Sequence, residues 1–179
     1  MRSILRGAVL AALSLAVVAT PAFATHAGSK PGDQNIVQIV LADDGKFDVL
    51  QAAVIEAGLA GALSSPDDQY TVFAPTDEAF VSTFRGLLND NSLTEADVIA
   101  FINAGGVDTA FGDGALANIL LFHVTNGRRT STSVVHAPGY TMLNGERLSR
   151  AQLLDAGIAA VDISASNGVI HVINSVLIP

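Results

Sequence analysis

The chain has 179 residues, with 17 acidic side chains against nine Lys and Arg for a net charge of −8, and no cysteine. The acidic balance excludes nucleic acid and anionic membrane surfaces as partners, because both select a basic face. The lack of cysteine excludes disulfides, thiolate metal sites, iron–sulfur clusters and cysteine nucleophiles.

In chain order, "MRSILRGAVLAALSLAVVATPAFA" places Arg2 and Arg6 before an apolar run from Ala8 to Ala19 and ends on Ala22-Phe23-Ala24. This reads as a secretory signal peptide over residues 1–24, cleaved after Ala24. The run falls short of the roughly 20 apolar residues that span a bilayer. Thr25 to Gly32 reads as a flexible leader, and residues 33–179 as one domain. Without Arg2 and Arg6 the net charge becomes about −10. The expectation is a soluble, exported protein, periplasmic or extracellular.

The domain opens with helical spacing over Ile36 to Leu41. A second helix carries Phe47, Leu50, Val54 and Ala57 and stops at Gly58. Asp43-Asp44-Gly45 between them reads as a turn, since a calcium loop spreads its ligands over about twelve residues and closes on Glu. "QYTVFAP" alternates and is rich in β-formers, so a strand is expected there. Thr94, with Asp97 three residues on, caps a helix carrying Val98, Phe101 and Ile102, which Gly105-Gly106 stops. "DGALANILLFHV" starts helical at Asp113 and turns extended near Leu121 to Val124. Beyond it, "TSTSVV", "YTML", "GIAAVDIS", "GVIHVI" and "SVLIP" read as short extended pieces. Asn126-Gly127, Asn144-Gly145 and Asn167-Gly168 read as turns, the last two joining antiparallel strands. Helices early and strands late predict an α+β domain whose sheet is built largely from the C-terminal half.

"TVFAPTDEAF" holds the densest group of reactive side chains. Thr76 is a helix-cap candidate, and Asp77 and Glu78 occupy the first turn, where negative charge meets the positive end of the helix dipole. Neither a base nor a metal ligand is adjacent, so Thr76, Asp77 and Glu78 read as a structural motif. His123 and His171 lie in apolar extended segments, "LLFHV" and "GVIHVIN". They read as half-buried rings bonded to carbonyls or carboxylates, because four ligands at metal-site spacing are lacking. The chain has no Gly-x-Ser-x-Gly elbow and no phosphate-cradling glycine loop. No catalytic residue, metal ligand or cofactor is assigned.

Two segments resemble the signatures of the fasciclin domain, of the beta-Ig-H3/fasciclin family. "YTVFAPTDEAF" (Tyr70 to Phe80) is similar to the first and "SNGVIHVINSVLIP" (Ser166 to Pro179) to the second. "LANILLFHVTNGRRTS" (Leu116 to Ser131) resembles the central stretch, where a Tyr-His pair is usual and Phe122-His123 stands here. "TMLNGERL" (Thr141 to Leu148) fits the hairpin that follows. The resemblance covers nearly all of the domain in the right order. It implies an α+β fold, a wedge-shaped β-sandwich with helices packed around it, and a secreted, non-enzymatic module of cell adhesion. Its implied partner is a protein or a cell-surface or matrix component.

Some fasciclin-like proteins bind carotenoids, so a carrier of an apolar small molecule, such as a carotenoid or lipid, is a second expectation. A hydrolase is a third. In some animal members an Asp-Ile step before the second signature belongs to an integrin-recognition motif. Asp162-Ile163 stands there without the usual flanks and reads as strand alternation, Asp162 outward and Ile163 inward. Candidate interaction residues are Phe122, His123, Asp162, Ile163 and His171, with the contact patch expected on the helix-bearing side or at a sheet edge around Val169 to Ile178.

Overall fold

The computed structural model describes residues 32–42 and 45–179. The expected signal peptide, nearly all of the leader, and Asp43-Asp44 of the expected turn lie outside these residues. The first elements are helices α1 (Ile36–Val40), α2 (Asp48–Glu56) and α3 (Ala60–Leu63). Asn35 and Gln38 close α1 with a reciprocal capping box. Gly58, at φ +66°, follows the end of α2, a conformation that disfavours a Cβ. Strand β1 (Tyr70–Pro75) comes next, then α4 (Asp77–Leu88), α5 (Glu95–Asn103), α6 (Gly106–Phe111) and α7 (Ala115–Leu121). Thr94 and Asp97 form the capping box that starts α5. The remainder is β2 (Val124–Asn126), α8 (Ser131–His136), β3 (Gly139–Thr141), β4 (Arg147–Ser149), α9 (Arg150–Asp155), β5 (Ile158–Ala165) and β6 (Gly168–Ile173).

The main sheet has the order β2-β1-β6-β5. β1 and β6 run parallel, in register from Tyr70 against Gly168 to Pro75 against Ile173, and the outer pairs are antiparallel. The two signature segments therefore lie side by side at the centre of the fold. Both strands are covered on both faces, which is why residues 71–75 and 168–173 are all buried rather than alternating. On one face Val72, Ala74, Ile170 and Val172 pack into a core with residues of α1 to α7. On the other, Phe73 and Ile173 pack with Tyr140, Met142, Leu148 and Leu153. The second face is closed by the two-stranded β3–β4 sheet, tied to β2 by a Thr125–Met142 bridge. The architecture is α+β: a helical layer, a mixed sheet and a small second sheet.

Four expectations change. "TSTSVV", expected extended, supplies the N-cap Thr130 and most of helix α8, and "SVLIP" forms no strand. α6 begins directly after Gly105, which was expected only to end a helix. The sheet edge expected around Val169 is instead the inner strand β6, and the exposed edge is β5, whose pairing slips on both sides of Ala160. Such irregularities protect an edge strand from further pairing.

The two hairpin dipeptides work differently. Gly145 takes φ +87°, as a tight turn requires. At the other, Ser166 and Asn167 make the turn and Gly168 already belongs to β6. Asn167 is buried: its Oδ1 accepts the Ile36 N–H at 2.9 Å, and its Nδ2 donates to the carbonyls of Leu63 and Ser65 at 2.8 and 3.1 Å. Gly168 is needed for space, since a Cβ there would lie 2.1 Å from the Tyr70 carbonyl oxygen.

Candidate functional site

Pro75 ends β1 and Thr76 turns the chain into α4, its Oγ1 accepting the Ala79 N–H at 3.2 Å. Glu78 is exposed in the first turn of α4. Asp77 is buried and bridges outward: its backbone N–H donates to the Lys46 carbonyl, and its Oδ1 accepts the Val49 N–H at 2.8 Å. α2 has no side-chain cap of its own, because Phe47 precedes it. Asp77 supplies the missing acceptor, a role that needs the fold and has no local sequence signal.

Phe122, His123 and His171 are interior, at 1%, 2% and 0% exposure, so a partner meeting the folded domain does not touch them. Both histidines are more deeply buried than the half-buried rings expected. His123 Nδ1 donates to the Ile119 carbonyl at 2.7 Å, and Nε2 accepts the Leu177 N–H at 2.9 Å. Burial pushes its pKa down to about 4, against a small raising effect of the Ile119 carbonyl, so the ring is neutral at pH 7. His171 stacks on Phe73 with ring centroids 5.8 Å apart. Its Nδ1 accepts the Asp162 N–H at 3.3 Å and its Nε2 donates to the Arg129 carbonyl at 2.9 Å. All four ring nitrogens are engaged by backbone, leaving no lone pair for a metal.

Asp162 faces solvent and Ile163 packs against the core, the facing expected, although regular strand geometry is broken at Asp162. It sits at φ +60° within the irregular stretch of β5. Its Oδ1 accepts the Ser131 N–H at 2.8 Å and its Oδ2 accepts the Ser131 hydroxyl. These bonds, the hydroxyl's first, hold the carboxyl below the usual range, and they cap α8, whose Thr130 makes no side-chain cap. Ile163 is half-buried and pairs with Ile170. Ser131, Asp162 and His171 thus meet, but not as a catalytic triad. A triad needs the imidazole to accept the hydroxyl proton, whereas here the carboxylate takes it and both ring nitrogens bond backbone. The third described histidine, His136, bonds the Thr132 carbonyl.

The principal apolar concavity lies elsewhere, on the helix-bearing side. Phe80, Phe84 and Leu87 of α4, Val107 and Phe111 of α6, Leu116 and Ile119 of α7, and Val176 and Ile178 of the C-terminal segment line a groove of about 210 Å³. Thr83 and Asn118 are its polar members. Leu87, Phe111 and Ile178 are 45%, 47% and 49% exposed on its rim. A cavity of about 20 Å³ beneath α1 and α2 has room for about one water. A shallower hollow of about 420 Å³, beside β2 and β3, mixes Thr125, Asn126, Arg129 and Thr141 with Tyr140 and Met142. Val176 and Ile178 of the groove of about 210 Å³ fall in the stretch expected to carry the contact patch, whereas its residues on α4, α6 and α7 have no local sequence signal, because three separate helices have to meet to form the walls. Among the described residues, no helix is long and apolar enough to cross a membrane.

Comparison with known proteins agrees with this architecture. The family model of the fasciclin domain matches residues 45–179. Protein sll1483 of Synechocystis sp. is 33% identical over 146 residues, covering 78% of this chain and 71% of that protein. Transforming growth factor-beta-induced protein ig-h3 of Sus scrofa is 34% identical over 150 residues, covering 80% of this chain and 19% of that protein. The FAS1 domain pair of the insect cell adhesion molecule fasciclin I superposes with a TM-score of 0.52 at 14% identity, covering 83% of this chain and 52% of that one. The paired signature strands and the matching family model together make this chain a member of the fasciclin-domain family.

Proposed function

We propose that the domain is a non-enzymatic interaction module of the cell envelope, and that a protein partner meets it across the groove between α4, α6, α7 and the C-terminal segment. The observation that carries this reading is the gathering of Leu87, Phe111 and Ile178, each nearly half exposed, around one apolar hollow. Clustered exposed apolar groups beside a pocket mark interaction surfaces, and buried anchor side chains supply most of the energy at such surfaces. The volume of this groove favours the first of the two binding readings. At about 210 Å³ the groove lies below the roughly 300–1,000 Å³ of small-molecule sites, so it suits an anchor side chain better than a carotenoid or lipid. The net charge of −8 favours a neutral or basic partner surface. Likeness to a cell adhesion molecule supports the reading by analogy of fold.

A photo-crosslinking residue placed at Thr83 yields a discrete protein adduct with native envelope material. Leu87→Asp and Phe111→Ser, both at exposed positions, keep the circular dichroism spectrum and lose the adduct. An adduct unchanged in both variants overturns the assignment. So does one equivalent of an apolar small molecule extracted from the purified protein.

A further inference from the structure

Three helices of the helical layer begin on an acidic residue: Asp48 starts α2, Asp77 starts α4 and Glu95 starts α5. One carboxylate oxygen from each lies within 4.8 Å of those from the other two. Each charge alone suits the positive end of its own helix. Together they repel, and Glu95 is held above its usual pKa by burial first, then by Asp77 and Asp48. The buried member shows what is missing. Asp77 is 7% exposed; its Oδ1 takes the Val49 amide, and its Oδ2 is buried with no hydrogen-bond partner. A buried carboxylate oxygen without a donor carries its desolvation cost uncompensated. The carboxylates beside it, when ionised, have no proton to give.

We propose that Asp48, Asp77 and Glu95 bind a divalent cation, Ca²⁺, which ties the N-termini of α2, α4 and α5 together. The donor set is oxygen alone, which selects a hard cation over zinc or copper. Three protein carboxylates from separate helices suit Ca²⁺, which takes six to eight oxygens in flexible geometry, better than Mg²⁺, which is usually held by one or two carboxylates in near-ideal octahedral geometry. Glu95 is exposed and Asp48 half-buried, which leaves an approach from solvent and room for water ligands. The same three positive helix ends oppose the cation and keep the affinity low, with Kd about 10⁻⁴–10⁻³ M.

The test uses purified protein stripped with a chelator. Equilibrium dialysis against ⁴⁵Ca²⁺ gives one saturable site, and Ca²⁺ at about ten times Kd raises Tm by on the order of 4 °C. Glu95→Gln and Asp48→Asn keep the unliganded fold by circular dichroism, and each weakens uptake about tenfold or more. Asp77 is left in place because it also caps α2. Absence of uptake at about 10 mM, or uptake and Tm gain in both variants equal to the wild type, overturns the proposal. A Tm gain from Mg²⁺ as large as that from Ca²⁺ overturns the choice of cation.

Discussion

Asp77 starts helix α4, yet its carboxylate caps α2: Oδ1 accepts the backbone N–H of Val49 at 2.8 Å, across 28 residues of chain. The first signature stretch thus holds two helices at once, Thr76 its own and Asp77 a neighbour. Its carboxylates do structural work that the sequence expectation assigned to one helix only.

Removing the local cap and the remote cap therefore has unequal effects. In chelator-treated protein, Thr76→Ala costs about 1 kcal/mol, the usual value of an N-cap. Asp77→Ala costs about 1.5–3 kcal/mol, because a buried charge-assisted bond to α2 goes with it. Urea unfolding at pH 7 measures both, and Thr76→Ala costing as much as Asp77→Ala contradicts the remote cap.

His123 makes stability fall in mild acid. Its folded pKa is depressed to about 4 from an unfolded value near 6.5. Above about pH 6.5 both states hold the ring neutral and it contributes no pH dependence. As pH falls from about 6.5 to 4 only the unfolded chain takes up the proton, so stability drops, by about 3 kcal/mol in all, and levels off below the folded pKa. His123→Gln flattens this limb relative to wild type, which a series of denaturant unfolding curves between pH 7 and 4 detects. Parallel curves for the two proteins contradict a neutral buried ring.

Gly168 and Gly145 follow Asn in the same dipeptide but respond differently to a methyl group. Gly145→Ala costs about 1–2 kcal/mol, the price of a left-handed backbone with open space around it. Gly168→Ala drives a Cβ into the Tyr70 carbonyl across the central β1–β6 pair and costs more than about 3 kcal/mol, enough to prevent folding. Expression and thermal unfolding of the two variants rank them, and equal losses contradict the close approach at Gly168.

Particular elements show how far the sequence reaches. α1, α2, α4, α5 and α7 are legible because their apolar spacing or caps lie within the helix. α9 also carries a local signal, Ser149 with Gln152 three residues on, whose reciprocal bonds start the helix. α8 carries none. It has six residues, its sequence STSVVH is rich in β-formers, and its cap is Asp162, 31 residues away. Short helices of this kind depend on tertiary contacts.

The sequence by itself determined the acidic character, the freedom from cysteine, the α+β order of elements and the two signature segments, because composition, spacing and capping are local properties. Only the tertiary structure decided what those residues touch. It paired the signatures as parallel central strands, sank Phe122, His123 and His171 into the interior, and turned Asp162 into a cap. It also raised the apolar groove from α4, α6, α7 and the chain end, and brought Asp48, Asp77 and Glu95 to one point. The reason is physical: burial, convergence of charges and remote caps depend on which distant segments meet, and nothing local encodes that meeting.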